Sequence, residues 1–239
     1  MTKDLFYQLS ITADGASYDL SPDLSSFTIE EDGSKPHLLT VQVSDPFKVF
    51  SHALQVGMGI EVDLGTTEDH SVIFRGRIHK VQSDFPQDDV PILKVLAHDR
   101  SMAMGLRKRN RPWTDLSLSG IVSEISGEYF DAANVIVNLK GDPEFTGNGI
   151  RQQNETDLAF LLRLAATYGC ETFVTANDEG DVLHFESQYS IMKSEPELTL
   201  YHGRSGVSNR LLSFQADSDV SNIQLPRVLS GNRGTVSFW

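Results

Sequence analysis

The feature that most constrains this chain is a period of two in its apolar residues. In Leu38-Leu39-Thr40-Val41-Gln42-Val43, the side chains of Leu39, Val41 and Val43 share one face, and Thr40 and Gln42 share the other. An extended strand puts successive side chains on opposite faces, so this spacing predicts a strand with one side buried and one side wet. Residues 5–11, 26–31 (with Phe27 and Ile29 on one face), 60–64, 72–81 and 92–99 read the same way. Asp14-Gly15 and Asp32-Gly33 are turn dipeptides between such runs, and Asp45-Pro46 breaks the chain before a short helix or loop at 47–54. Consecutive strands with no long helix between them predict an antiparallel barrel or sandwich over the first hundred residues.

The pattern then changes. Arg107-Lys108-Arg109-Asn110-Arg111 is a basic cluster that reads as a solvated loop. Leu118, Ile121, Val122, Ile125 and Tyr129 follow helical spacing, with Ser117 as N-cap, and residues 135–139 read as a strand. The clearest segment is 152–169. There Asn154 is the expected cap, Glu155 and Asp157 fall in the first turn, and Leu158, Leu161, Leu162 and Ala165 form the apolar stripe. Gly169 sits where a left-handed C-terminal cap belongs. Phe173-Val174 and 182–185 make a hairpin across 177–180, and strands are expected again at 198–201, 211–215, 222–225 and 235–239. The last of these leaves an apolar strand open, which suggests a sheet completed by further chain or by a partner.

Few residues offer chemistry. The 7 histidines include no two within five positions, so no helical pair is spaced for zinc. His98-Asp99 are neighbours on a strand and face opposite ways, so they do not converge on one ligand. There is no nucleophile elbow and no phosphate-binding loop, and Gly57-Met58-Gly59 opens a strand, not a helix. Acidic runs such as Asp88-Asp89 and Glu30-Glu31-Asp32 lie in polar, turn-like stretches and read as solvated. No residue is assigned as catalytic, cofactor-binding or metal-binding, and no cofactor is expected.

Composition removes further classes. With Lys+Arg 20 and Asp+Glu 33, the formal charge of −13 argues against specific nucleic-acid binding, which needs a cationic face. The single cysteine, Cys170, forms no intrachain disulfide and reads as a small buried hydrophobe. No apolar run approaches the roughly 18 residues of a membrane span, and the N-terminus has no secretory pattern, so the chain is expected to be made and folded in the cytoplasm without membrane binding.

Three stretches resemble the phage late control protein D family and the N-terminal half of VgrG spike proteins. They are Phe74-Arg75-Gly76-Arg77-Ile78 followed by residues 93–101, the helix opening at 117–125, and above all Gln153-Asn154-Glu155-Thr156-Asp157-Leu158-Ala159-Phe160-Leu161-Leu162-Arg163-Leu164-Ala165 with Tyr168-Gly169 behind it. Thr156 stands where Ser is commoner. The resemblance implies a mainly β fold with an α+β insertion: a tube-like antiparallel β-barrel over 1–105, an α/β insertion over 106–190, and the opening strands of a second tube-like barrel over 191–239. It also implies a structural baseplate hub, not an enzyme, of a phage tail, tailocin or contractile injection system. Such a hub is a homotrimer of pseudo-sixfold symmetry that joins the hexameric inner tube, or a tube initiator, to the trimeric central spike, next to other baseplate proteins in the particle. The needle that continues VgrG chains has no counterpart here. Contacts are expected through strand regions 72–81, 92–97 and 211–215, and an acidic channel lining would let nucleic acid pass without sticking. The competing readings are a cell-wall-degrading tail enzyme and a binding module carried on the particle.

Overall fold

The computed structural model describes residues 5–13, 16–31, 33–66, 69–87, 89–147 and 149–191, with short segments at 201–202, 210–211 and 236–237. The period-two runs are strands: β1 (Leu5–Ala13), β2 (Ala16–Asp19), β3 (Leu24–Glu30), β4 (Leu38–Ser44), β5 (Gly59–Thr66), β6 (Asp69–Asp84) and β7 (Ile92–His98). The helix α1 (Val49–Ala53) lies between β4 and β5. These strands pair in the order β3-β4-β7-β6-β5-β1-β2, all antiparallel.

This order forces the sheet to curl. Strands β2 and β3 lie at opposite ends of that run, yet only Leu20–Asp23 joins them. Laid flat, the run would be roughly 29 Å wide at about 4.8 Å per strand. The connector spans at most about 17 Å fully extended. The sheet therefore wraps round on itself, and Leu9, Leu20, Phe27, Leu39, Val41, Val43, Ile60, Val62, Phe74, Ile78, Leu93, Val95 and Ala97 meet in one apolar core. Leu20 is fully buried, and its N–H donates to the Leu9 carbonyl at 2.8 Å, which ties the connector to β1.

A bulge explains one irregularity of the sequence. Buried side chains on β6 fall at Val72, Phe74 and Ile78, but the next apolar residue is Val81, on the other parity. Pairing with β7 shifts between Ile78 and Lys80, so His79 is the extra residue and the chain regains the core face after it. Close by, a Cβ on Gly76 would run into the carbonyl oxygen of His98, so only glycine lets β6 and β7 approach this closely.

Beyond a 3-10 turn at Arg100–Gly105, a second core forms from β8 (Lys108–Trp113), β9 (Leu116–Ser117), α2 (Leu118–Ser126), β10 (Val135–Asn138), β11 (Glu144–Phe145), β12 (Ile150–Thr156), α3 (Asp157–Tyr168), β13 (Cys170–Asn177), β14 (Gly180–Ser187) and α4 (Gln188–Ile191). The helices α2 and α3 pack on a three-stranded sheet, β10-β14-β13, in which β10 runs parallel to β14. Ile121, Val122, Ile125, Phe160, Leu161, Leu164, Leu183 and Phe185 fill the space between them. The molecule is mainly β with an α+β insertion, as the sequence implies.

Several local expectations are corrected. The basic cluster is not a loop: it is strand β8, paired antiparallel with β12. Residues 152–156 are strand, and the helix begins only at Asp157, capped by Thr156, whose Oγ1 accepts the Ala159 N–H at 3.1 Å. Asn154 is instead the left-handed residue (φ 50) of a bulge, and its N–H donates to Asn110 Oδ1. Ladder pairing with β8 holds this stretch extended, overriding a helical pattern that is ambiguous over so few residues. The buried stripe of α3 is Phe160, Leu161, Leu164 and Ala165, while Leu158 and Leu162 border a shallow cleft facing Lys35, His37 and Asp99. Strand β2 has no counterpart in the sequence reading. Ser117 caps α2, and Gly169 closes α3 in the left-handed region (φ 66), where glycine carries no Cβ penalty.

The strands expected after residue 191 fall mostly outside the described residues, and so does the second barrel. Within that stretch, β15 (Tyr201–His202) pairs parallel with β16 (Arg210–Leu211), and β17 (Val236–Ser237) adds to β3.

Candidate functional site

The segment Gln152–Arg163, which includes most of the signature that starts at Gln153, crosses from strand to helix, and its polar residues form a network there. Asp157 is fully buried at the first turn of α3. Its Oδ1 accepts from Gln152 Nε2 at 2.8 Å and its Oδ2 from the Tyr129 hydroxyl at 2.7 Å. Arg109 Nε lies 3.0 Å from Oδ2, an ion-pair contact whose N–H is not aligned as a hydrogen bond. The other end of Arg109 grips Glu128 through both terminal nitrogens, at 3.2 and 2.6 Å, and Arg111 joins the same carboxylate at 2.7 Å. Arg163 holds Glu155 bidentately at 3.0 Å and also donates to the Arg151 carbonyl.

Burial works against the Arg109 charge, but Glu128, Tyr129 and Asp157 outweigh it and hold the guanidinium above its ordinary range. The Tyr129 phenol is pushed up, first by burial and then by Asp157, with Arg109 opposing. These contacts tie together the junction of β8, β12, α2 and α3. Arg109 and Arg111 of the basic cluster thus turn inward to neutralise acids of the insertion, while Arg107 stays exposed.

A second set of contacts locks the two cores together. Arg75, on β6, donates to Glu61 at 2.8 Å, to Asp181 at 3.3 Å and to the Asn177 carbonyl at 3.2 Å. The Val72 N–H donates to Asp178 Oδ1. The β13–β14 hairpin tip thus rests against the barrel wall. Burial raises the Asp181 carboxyl, with Arg75 and Arg100 pulling the other way.

The remaining candidates of the sequence separate into structural roles. Asp99 is buried at the end of β7 and accepts from the Ser101 and His37 N–H groups, both at 2.8 Å. His98 instead stacks on His79, ring centroids 4.3 Å apart. This pairing across β6 and β7 was invisible in the sequence, because the two lie on different strands. Burial, then His98 and Lys80, hold His79 below its ordinary value. Among the described residues no group of three or more His, Cys, Asp or Glu side chains is placed to hold a metal. Cys170 is buried, which pushes its thiol up. Glu30, Glu31 and Asp89 are exposed. No described helix is long and apolar enough to cross a membrane.

The expected contact strands are also redefined. Strands β6 and β7 are paired on both sides, so 72–81 and 92–97 offer no free backbone edge and could meet a partner only through their outer faces or ends. Region 211–215 lies outside the described residues apart from Leu211.

The comparisons agree with this architecture. The structure is similar to the E. coli c3393 protein, a component of the type VI secretion system described as structurally similar to the T4 bacteriophage tail proteins gp27 and gp5. The TM-score is 0.57 at 19% identity, covering 70% of this chain and 46% of that one. It is similar to a 43 kDa tail protein of prophage MuSo2 from Shewanella oneidensis, with TM-score 0.58 at 16% identity, covering 76% and 53%. It also resembles a chain of the Francisella PdpA–VgrG complex, with TM-score 0.50 at 12% identity, covering 82% and 34%. The chain thus spans about half the length, or less, of these solved structures. No curated protein matches the sequence. The sequence profile of the phage tail baseplate hub family (GPD) matches residues 41–222, from the third core strand through the signature segment and beyond. The chain belongs to the phage tail baseplate hub (GPD) family.

Proposed function

We propose that this baseplate hub protein forms a homotrimer of pseudo-sixfold symmetry that joins a hexameric inner tube to a trimeric central spike. The barrel unit takes residues 1–105, the insertion 106–190, and a second barrel opens at 191–239. Two barrels of similar shape per chain give three chains six comparable positions, which is how a threefold object meets a sixfold one. Its work is mechanical and not enzymatic, and it is done in the particle after assembly in the bacterial cytoplasm.

The observation that carries this reading is the coupling of a curled, edge-paired sheet to the insertion through Arg75, Asp181 and Asp178. A hub that transmits force between tube and spike needs its units held as one body, and these contacts supply that. Co-expression with candidate tube and spike proteins is the test. The hub co-purifies with both, and light scattering gives a mass of three copies bound to the spike. A chain that stays monomeric beside its spike and captures neither protein overturns the reading.

A further inference from the structure

The outer faces of β6 and β7, with that of β4 beside them, form one continuous field whose neighbours are fixed by the ladders. Leu38, His98 and Arg77 stand in one row across β4, β7 and β6. Thr40, Leu96 and Lys80 form the next row, and Gln42, Lys94 and Gln82 a third. The rows between them, Leu39-Ala97-Ile78 and Val41-Val95-Val81, pack on the barrel core instead. Residues directly opposite on one face of a sheet have Cβ atoms about 5 Å apart, so these nine side chains are contiguous. His79, the extra residue of the bulge, joins them by stacking on His98. None of the ten is a carboxylate. Acids stand at the border: Glu30 beside Leu38, Asp84 beyond Gln82, and Glu61 and Asp181 on Arg75.

The cations of this face are left without acids. Elsewhere Arg75, Arg109, Arg111 and Arg163 each hold a carboxylate. Among the described residues Lys80 and Lys94 meet none, and Arg77 donates to the Gly57 carbonyl at 3.0 Å. Arg77 and Lys80 are exposed, and Lys94 is half-buried. Burial, then His98 and Lys80, hold His79 below its ordinary value, so the field of these groups is felt within the face itself. A chain of charge −13 that gathers unneutralised cations on one sheet face presents a surface complementary to acid. Leu38 and Leu96 are half-buried among the cations and point away from the core. Three cations interleaved with apolar side chains match the carboxylates and apolar groups of a protein surface. A phosphate backbone would call for a longer run of cations and would meet the net negative charge of the rest of the molecule.

We propose that the outer face of β4, β7 and β6, centred on Leu96, docks an acidic surface of a different protein of the particle. Carboxylates of that protein meet Arg77, Lys80 and Lys94, and its apolar side chains cover Leu38 and Leu96. The proposal rests on the hub reading for its neighbour being a component of the particle, and it gives that neighbour a chemistry.

Binding of the full chain to labelled poly-L-glutamate, read by fluorescence anisotropy, tests the face without any particle protein. The wild-type chain binds, and added salt weakens the complex. Lys80→Glu with Lys94→Glu weakens binding by about tenfold or more. Arg107→Glu with Lys108→Glu changes the net charge equally and leaves binding nearly unchanged. Where the reversed chain fails to fold, Lys80→Gln with Lys94→Gln gives a smaller loss in the same direction. The same lysine variants then lose capture of a candidate tube or spike protein, and Leu96→Ser weakens that capture too. Absence of poly-L-glutamate binding, an equal loss in the two charge-reversed variants, or capture that survives the lysine reversal overturns the proposal. Tighter binding of a single-stranded oligonucleotide through the same lysines also overturns it, assigning the face to nucleic acid. Self-association that the lysine reversal abolishes does so as well, assigning the face to a second copy. A wild type that binds poly-L-glutamate through these lysines but captures neither tube nor spike supports the acid-binding face and defeats the hub reading.

Discussion

The barrel core holds aliphatic residues and Phe on strands β1 and β3 to β7, and its walls are built from backbone ladders. The insertion core packs two helices on a sheet and encloses the buried carboxyl group of Asp157, with Gln152, Tyr129 and Arg109 gathered round it. The first arrangement tolerates any sequence that keeps alternation and volume. The second depends on particular side chains, because a buried charge is costly unless each partner is in place.

The largest effect expected from this difference is at Asp157. Asp157→Ala removes the group that Arg109, Tyr129 and Gln152 share and destabilises the chain by about 3 kcal/mol, at the low end of the range for buried pairs because Arg109 is partly exposed. Urea denaturation reads this, and a loss below about 1 kcal/mol would make the insertion as permissive as the barrel. Next comes a barrel position where the backbone itself is exacting. Gly76→Ala pushes a methyl into the His98 carbonyl, parts β6 from β7 and costs about 2 kcal/mol by the same assay.

Arg75→Ala attacks the joint between the regions. It leaves the buried Asp181 without its cation, costs about 1–2 kcal/mol, and splits a single calorimetric transition into two if the latch alone couples the units. Burial already raises the folded Asp181 pKa, and losing Arg75 raises it further. The folded variant then holds a proton that the unfolded chain has released. Its stability is greatest at low pH and is lost as pH rises through the folded value, so the gap to wild type narrows on acidification. Thr156→Ala costs about 1 kcal/mol as the loss of a helix cap, while Asn154→Ala leaves the cap intact.

The smallest effect is a pH dependence at exposed His79. Its folded pKa is held below the ordinary value, near 6.5, so on acidification the unfolded chain takes up the proton first. Stability present above that value declines as pH falls through the window just below it, and His79→Gln flattens the decline in melts between about pH 7 and 5.5.

The same contrast governs what could be read before any coordinates. Alternation placed β3, β4, β5, β6 and β7 because a half-buried strand must alternate whatever its neighbours are. The cap at Ser117 and the stop at Gly169 were equally legible, since both are local hydrogen-bonding or steric requirements. The segment around Asp157 misled for the opposite reason. Its arginines looked solvated and its strand looked helical because their partners, Glu128 and β8, lie far along the chain. Gln152, Tyr129 and Glu128 gave no sign of their roles, although a polar, charge-rich run leading into an apolar helix was a hint that its charges were paired.

The sequence by itself determined strands β3 to β7, the cap of α2, the C-terminal stop of α3 and the family, because period, caps and motif residues act over a few neighbours. Only the tertiary structure decided that the sheet curls, that His79 stacks on His98 across a bulge, and that Arg75 bolts hairpin to barrel. Those outcomes depend on which distant strands pair, and loop-closing contacts of that kind are set by the packing of the whole chain, not by any local stretch of it.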